Sequence, residues 1–260
     1  MTDEPEHVQE REAAKQPRVS RWSVLGSVIR ASLWVLLLGG ALAGLLALFH
    51  PDSPLPAAWN PTAPLSVADP VTPLTMWKLR RAVDEARVCV ETVQAAGAVS
   101  SRAPLEASEN CHIRNRMTVD RLGQARVGGV ETSCAVALRM AMWERHGLQP
   151  AARDILGTRV SDIRQRGSYN CRRIRTSQGP SSRWSTHATA DAIDVSGFDF
   201  ADGRRVRLIE DWDDTTAEGR FLRVARDSAC QWFATTLGPD YNALHADHFH
   251  LQSRGWGACR

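Results

Sequence analysis

The chain has 260 residues, 43% of them hydrophobic, with a formal net charge of +3. That length allows one good-sized domain with accessory segments. The mild charge, with no Lys/Arg-rich run and no Gly-rich phosphate loop, argues against nucleic acid as a partner.

Residues 1–30 are polar and charged and form a cytoplasmic N-terminal segment in this reading. They lead into ASLWVLLLGGALAGLLALF, residues 31–49, which holds no charge in nineteen positions. As a helix it would reach about 28 Å, close to the hydrocarbon thickness of a bilayer. Lys15, Arg18, Arg21 and Arg30 precede it, so the N-terminus is expected to stay in the cytoplasm. The competing reading is a cleavable signal peptide processed at ALA, 41–43. The long leading segment and long apolar run favour a single-pass anchor in the inner membrane, with the remainder exported to the periplasm. Residues 50–73 carry seven prolines and read as a semi-extended linker. The folded domain is expected over 74–260.

Within it, residues 75–96 place Leu79, Val83, Ala86, Val90 and Val93 at helical spacing and stop at Gly97. A second helix is expected over about 131–146, ended by Gly147. A third is marked by Thr215 and Glu218 as a capping box, with Phe221, Val224, Cys230, Phe233 and Leu237 on one face and Gly238-Pro239 as the stop. Strand-like pieces fall at 159–165, 191–198, 204–210 and 248–252. Helices in front and strands later, without βαβ alternation, predict an α+β fold. Its helices would surround a small, mainly antiparallel sheet.

All six cysteines follow the apolar segment. An even count on the exported side reads as disulfides in an oxidising compartment. Of the fifteen possible pairings the sequential one is expected: Cys89–Cys111, Cys134–Cys171 and Cys230–Cys259. No C-x2-C pair supports a cysteine zinc site.

Eight histidines serve the whole chain, and three of them fall within six positions in YNALHADHFHLQ, residues 241–252. In an extended HFHLQ, His248 and His250 share one face and Phe249 and Leu251 the other. Alone, H-x-H is most often a solvated strand. Sixty residues earlier, SSRWSTHATADAIDVSGF offers His187 and, seven positions on, Asp194 between apolar neighbours. A carboxylate there is costly to bury unless paired or bound to a cation. The bland alternative pairs Asp194 with Arg172 or Arg183. Two imidazoles, one carboxylate and an open fourth position are what a catalytic zinc ion (Zn2+) requires, and the two halves together favour the metal.

S-x-H-x6-D followed by H-x-H resembles the zinc peptidases grouped with D-Ala-D-Ala carboxypeptidases, murein endopeptidases and lysostaphin-type enzymes. More closely, residues 75–260 resemble the extensin-like C-terminal domain of bacteria. The matching stretches are YNCRRI, STHATADAIDVSGFDFADGRRV, DW, FLRVARDSAC and LGPDYNALHADHFHLQ. The resemblance implies His187, Asp194 and His250 as zinc ligands, with His248 near the metal as a catalytic group. Murein endopeptidases have a histidine at the position of His245, and the carboxypeptidases a glutamate at that of Asp247. Strand alternation turns Asp247 away from His248 unless the strand begins after it, which favours the histidines. Arg172 matches a position where relatives place a basic or polar side chain upstream of the first ligand; it is expected to hold a substrate carboxylate or polarise a carbonyl, with a surface arginine as the equal alternative. Ser185, on the same side of the site, is expected to orient the ligand loop and not to act as a nucleophile. Relatives usually have glycine where Ala190 stands, so a conformation that glycine adopts easily is expected to be hindered there.

These readings lead to an expected zinc-dependent hydrolysis of peptide bonds in peptidoglycan stem peptides or cross-links. The expected partners are peptidoglycan peptides and, through one N-terminal helix, the membrane. The alternative from another class is a non-catalytic wall-binding or envelope scaffold domain that keeps a structural metal.

Overall fold

The computed structural model describes residues 21–50, 52–213 and 215–260. The expectations for residues 1–20, including Lys15 and Arg18, and for Pro51 lie outside them. The chain divides into two compact units at Pro54/Leu55, each described by itself.

The first unit contains helix α1, Arg21–Leu48. Its stretch Leu25–Leu48 is long and apolar enough to cross a membrane. Twenty-four residues reach about 36 Å at 1.5 Å each. The helix begins ten residues before the expected position 31 and takes in Arg30, because nothing in RWSVLGSVIR breaks a helix. A helix of this kind near the N-terminus serves as a membrane span or as a signal sequence.

The second unit opens with the proline-rich stretch, which is more than a spacer. Leu65 and Val67 join the core, and Ala58, Asn60 and Thr72 are buried. The Thr72 hydroxyl donates to the Ala58 carbonyl (2.9 Å), and Lys78 Nζ to that of Ala57 (2.6 Å). Two helices follow where one was expected, α2 (Thr75–Asp84) and α3 (Ala86–Ala96), broken at the extended residue Glu85. Their buried apolar positions are Leu79, Ala82, Cys89 and Val93, and Ala86 is exposed. Ala82/Val83 and Cys89/Val90 are adjacent apolar pairs, so the periodicity fits two phases one residue apart.

Five strands then come where none was expected: β1 (Gly97–Ser101), β2 (Leu105–Ser108), β3 (Cys111–Ile113), β4 (Arg116–Leu122) and β5 (Ala125–Ser133). Helix α4 (Cys134–Trp143) runs through a π-helical turn, Glu144–Leu148, into α5 (Gln149–Leu156). Gly147 therefore does not end the helix. Its missing side chain admits Ser228 and Trp143, whose atoms would lie 2.6 and 2.8 Å from a Cβ. Next come β6 (Val160–Gln165), the hairpin β7 (Arg173–Thr176) and β8 (Gly179–Trp184), β9 (Ala192–Phe200), β10 (Arg205–Arg207) and α6 (Leu208–Asp211). Helix α7 (Ala217–Trp232) is capped by Thr216, one residue beyond the expected Thr215, and buries Phe221, Leu222, Ala225, Ala229 and Trp232. It stops before Phe233, and β11 (Thr235–Leu237) and β12 (Phe249–Gln252) complete the chain.

The main sheet runs β1-β4-β5-β6-β9-β12-β11, with β10 also on β9. Every pairing in it is antiparallel except β5 with β6. The fold is α+β, as expected, with a larger sheet. Aromatic side chains join the helices to β9: Trp143 of α4 meets Phe198 edge-on at 5.9 Å, and Phe221 of α7 meets Phe198 and Phe200 at 5.3 and 5.1 Å. Burying each such ring stabilises the fold by about 1.5–3 kcal/mol.

One irregularity in β9 decides which way the site faces. Its register with β6 slips between Arg164/Gln165, so Ser196 is an extra residue. Ile193 and Val195 before this bulge and Phe198 and Phe200 after it all enter the core. Asp194, out of phase with them, faces away from it.

Two of the expected disulfides are corrected. The bonds are Cys89–Cys134, Cys111–Cys171 and Cys230–Cys259, and no cysteine is free. Packing of α3 on α4, and of β3 beside the turn that precedes β9, overrides proximity in sequence.

Candidate metal centre

Asp194 on β9 and His250 on β12 are direct cross-strand partners, so the sheet register alone brings them together. His187 comes from a 3-10 turn, Thr186–Thr189, that leads into β9. The Ser185 hydroxyl caps that turn by accepting from the His187 N–H (3.3 Å). The turn is closed by Ala190 at φ 50°, ψ 31°, and among the described residues no other non-glycine has positive φ. Alanine thus adopts the left-handed conformation, at a cost of roughly 1–2 kcal/mol. Hydrogen bonds hold it there: its N–H donates to the His187 carbonyl (3.1 Å), and its own carbonyl accepts from the Ser133 N–H (3.3 Å).

His187 Nε2, Asp194 Oδ1 and His250 Nδ1 form a small triangle. Its sides are 3.2 Å (His187–Asp194), 2.8 Å (His250–Asp194) and 3.1 Å (His187–His250). His187 Nδ1 lies 2.7 Å from the Ser168 carbonyl, which can only accept. That bond puts the ring proton on Nδ1 and leaves Nε2 a lone pair aimed into the triangle. A lone pair and a carboxylate oxygen 3.2 Å apart repel each other in a buried place unless a proton or a cation lies between them. The donor set therefore fits a metal ion, and the three residues form a group able to hold one. An ion with bonds of about 2.0 Å to a tetrahedral face needs donors roughly 3.3 Å apart, close to what is found.

The electrostatics agree. Burial alone would raise the Asp194 pKa, but hydrogen bonds and charge from the protonated forms of His187 and His250 outweigh it and hold the carboxyl far below its ordinary range, so Asp194 stays ionised and the rings give up their protons first. Burial lowers the His250 pKa, against the pull of Asp194, so the ring is neutral at pH 7. Neutral imidazoles and an ionised carboxylate are the forms that ligate. Neither Arg172 nor Arg183 forms an ion pair with Asp194 among the described residues.

His248 stands at the edge of the triangle, its Nε2 3.7 Å from Asp194 Oδ1. Its Nδ1 lies 2.7 Å from Asp247 Oδ1, and Arg166 pairs with the other carboxylate oxygen. The strand begins at Phe249, after Asp247, so alternation does not turn Asp247 away and it buttresses His248. The His248 bond, with Arg166, holds the Asp247 pKa below its ordinary value. His245 stacks against His248 and His250 at 5.3 and 5.7 Å, with its Nδ1 2.7 Å from Asn242 Oδ1. Burial, then repulsion from those two rings, pushes its pKa down to about 4.

Arg172 gives its carbonyl to the Ser185 N–H (3.1 Å). Its Nε is buried without a hydrogen-bond partner. Burial and repulsion from Arg175 lower its pKa, with Asp194 opposing them. Three contributors were not foreseen: Ser168, Arg166 and Asn242. Ser168 works through its carbonyl, which any residue carries. Arg166 is one of many arginines, and the side-chain carbonyl of Asn242 has no sequence signal beyond lying three residues before a histidine.

The family model described as Extensin-like protein C-terminus matches residues 87–260. No curated protein and no solved structure matches the chain.

Proposed function

We propose, from the premise that this chain belongs to the extensin-like protein C-terminal family, that it is a zinc-dependent hydrolase of peptide bonds in peptidoglycan. His187, Asp194 and His250 would hold the ion. The carrying observation is the triangle of donors, with the His187 tautomer fixed by Ser168. The reaction class comes from the resemblance of S-x-H-x6-D and H-x-H to the zinc carboxypeptidases and murein endopeptidases. Bound there, zinc supplies Lewis acidity toward a carbonyl and a water near neutral pH.

The other residues divide the remaining work. His248 keeps its Nδ1 proton on Asp247, so Nε2 is the atom that takes and returns a proton at the reacting centre. Asp247 is already occupied by His248 and Arg166, so it positions that ring and is not the base. His245, neutral at pH 7, accepts protons poorly and walls the site. Arg172, with a buried donor unused by the protein, holds a substrate oxygen. The apolar helix α1 anchors the chain in the inner membrane. Three disulfides with no free thiol suit a periplasmic address.

The nearness of His248 to Asp194 favours a second reading. Were its Nε2 a fourth ligand, no position would be open, and the domain would be a scaffold with a structural metal. The test is incubation of the zinc-loaded full chain in detergent with purified muropeptides, followed by mass spectrometry. Products that have gained one water support hydrolysis. Unchanged material from a zinc-retaining chain overturns it in favour of the scaffold.

A further inference from the structure

Arginines around the site are mostly neutralised. Arg164 and Arg207 pair with Asp199, Arg166 with Asp247, Arg204 with Asp202 and Arg254 with Asp191. The β7–β8 hairpin is different. From Ile163 to Ala190 the sequence contains no aspartate or glutamate. Arg173, Arg175 and Arg183 are exposed and form no ion pair with any described carboxylate.

The hairpin is fixed beside the donor triangle. At its feet the Asn170 N–H donates to the His187 carbonyl (2.9 Å) and the Ser185 N–H to the Arg172 carbonyl (3.1 Å). Cys171, at the foot of β7, is bonded to Cys111. Arg173 lies across the Trp184 ring, 4.1 Å from its centre, and donates from one guanidinium nitrogen to the Ser182 carbonyl, which fixes its exposed head on the hairpin and leaves the remaining N–H groups for a ligand. Three like charges without an ion pair on a braced hairpin make a local cationic patch that a carboxylate ligand would complement.

We propose that the β7–β8 hairpin is the carboxylate-recognising arm of the site. Arg173, Arg175 and Arg183 take free carboxylates of an acidic peptide whose scissile bond lies at His187, Asp194 and His250. The guanidinium fork matches a carboxylate in two parallel hydrogen bonds. A long polyanion would need a stripe of free charge across the surface, whereas beyond the hairpin and Arg172 the arginines named above are already paired. The substrate class rests on the hydrolase reading, but the binding does not.

The test uses the full chain in detergent, freed of metal by chelation, and measures binding by calorimetry. The probes are a disaccharide tetrapeptide with free carboxylates, the same compound with its carboxylates amidated, and linear polyphosphate. The chain is expected to bind the free acid more tightly than the amide, and added salt to narrow the gap. Substituting Arg173, Arg175 and Arg183 together with glutamine should weaken binding of the free acid about eightfold. That is a factor of about two for each exposed charge contact. The triple lysine variant, which keeps the charge but not the fork, should bind the free acid more tightly than the glutamine variant and less tightly than the parent, a ranking that a purely structural role of the side chains would not predict. Equal binding of acid and amide overturns the proposal. So does hairpin-dependent binding of polyphosphate without discrimination between the peptides. Discrimination without turnover by the zinc-loaded chain leaves the arm standing and removes the hydrolase.

Discussion

Replacing Asp194 with asparagine keeps the volume and one acceptor oxygen but removes the charge from the donor triangle. In the metal-free protein the His250 ring can still donate to that oxygen, 2.8 Å away. The loss is then part of one charged hydrogen bond, about 1.5 kcal/mol, or roughly 3–6 °C in a domain of this size. The metal effect should be larger and of another kind. Free zinc at a hundred times its dissociation constant stabilises the native state by about 2.7 kcal/mol, which raises the melt by roughly 5–11 °C. That shift should vanish in His187→Ala and His250→Ala, because two donors hold an ion poorly, and in Asp194→Asn, because the neutral amide oxygen that replaces the carboxylate is a weak ligand. It should survive in His248→Ala, whose Nε2 is 3.7 Å from Asp194 Oδ1 and outside the triangle. The assay is thermal unfolding of the full chain in detergent after chelation, with zinc titrated back and bound metal counted by elemental analysis. A full zinc shift in Asp194→Asn would refute the three-donor site. Loss in His248→Ala as complete as in His250→Ala would make His248 a fourth ligand, and the hydrolase reading would fall with it.

Asp247→Asn should lower turnover about 10–100-fold by freeing the His248 ring while zinc stoichiometry stays unchanged; loss of zinc would sink the positioning role. Peptide mapping of unreduced protein should recover Cys89–Cys134 and Cys111–Cys171. Removing the first should cost about 4 kcal/mol in melting experiments, given a sequence separation of 45. His245 is held neutral in the fold, whereas the unfolded chain takes up its proton near the ordinary histidine pKa. The metal-free protein should therefore lose stability as the pH falls from about 6.5 toward 4, by on the order of 1 kcal/mol because the ring is partly solvated. His245→Gln should flatten that slope, and an unchanged slope would assign it to another group. Ala190→Gly should alter stability by less than about 1 kcal/mol, since relief at φ 50° is offset by chain entropy and a lost methyl. Ala190→Val should cost well over that in chemical denaturation.

The α+β class, the third helix and most of the later strands were legible because each carries a strong local signal, such as the threonines before α7 or the apolar run Ala192–Val195; of the strand expected over 204–210 only Arg205–Arg207 forms, and Leu208–Asp211 is helical. Strands β1 to β5 were not. Their inward residues, among them Met117, Val119, Val127 and Val130, are separated by arginines, threonines and the positive-φ pair Gly128-Gly129, which blur a period-two pattern. The helix faces were misphased by one residue wherever two apolar residues are adjacent. Disulfide partners are set by which helices and strands pack together, and nothing short-range in the cysteine spacing records that.

The candidate site was legible to the extent that strand pairing built it. A lone carboxylate in an apolar strand and H-x-H in another need only one register to meet, and burial of the neighbours fixes that register. Had Ser196 not bulged, one of two things would follow from alternation: Asp194 would enter the core with Phe198 and Phe200, or those rings would leave it. The side of the sheet on which the donors stand is thus a consequence of core packing by α7 and α4, where Phe221 and Trp143 grip Phe198. What sequence could not carry is the part made of backbone. The Ser168 carbonyl that sets the His187 tautomer would be present with any residue at that position. The left-handed turn at Ala190, by contrast, tolerates little beyond glycine and the smallest side chain.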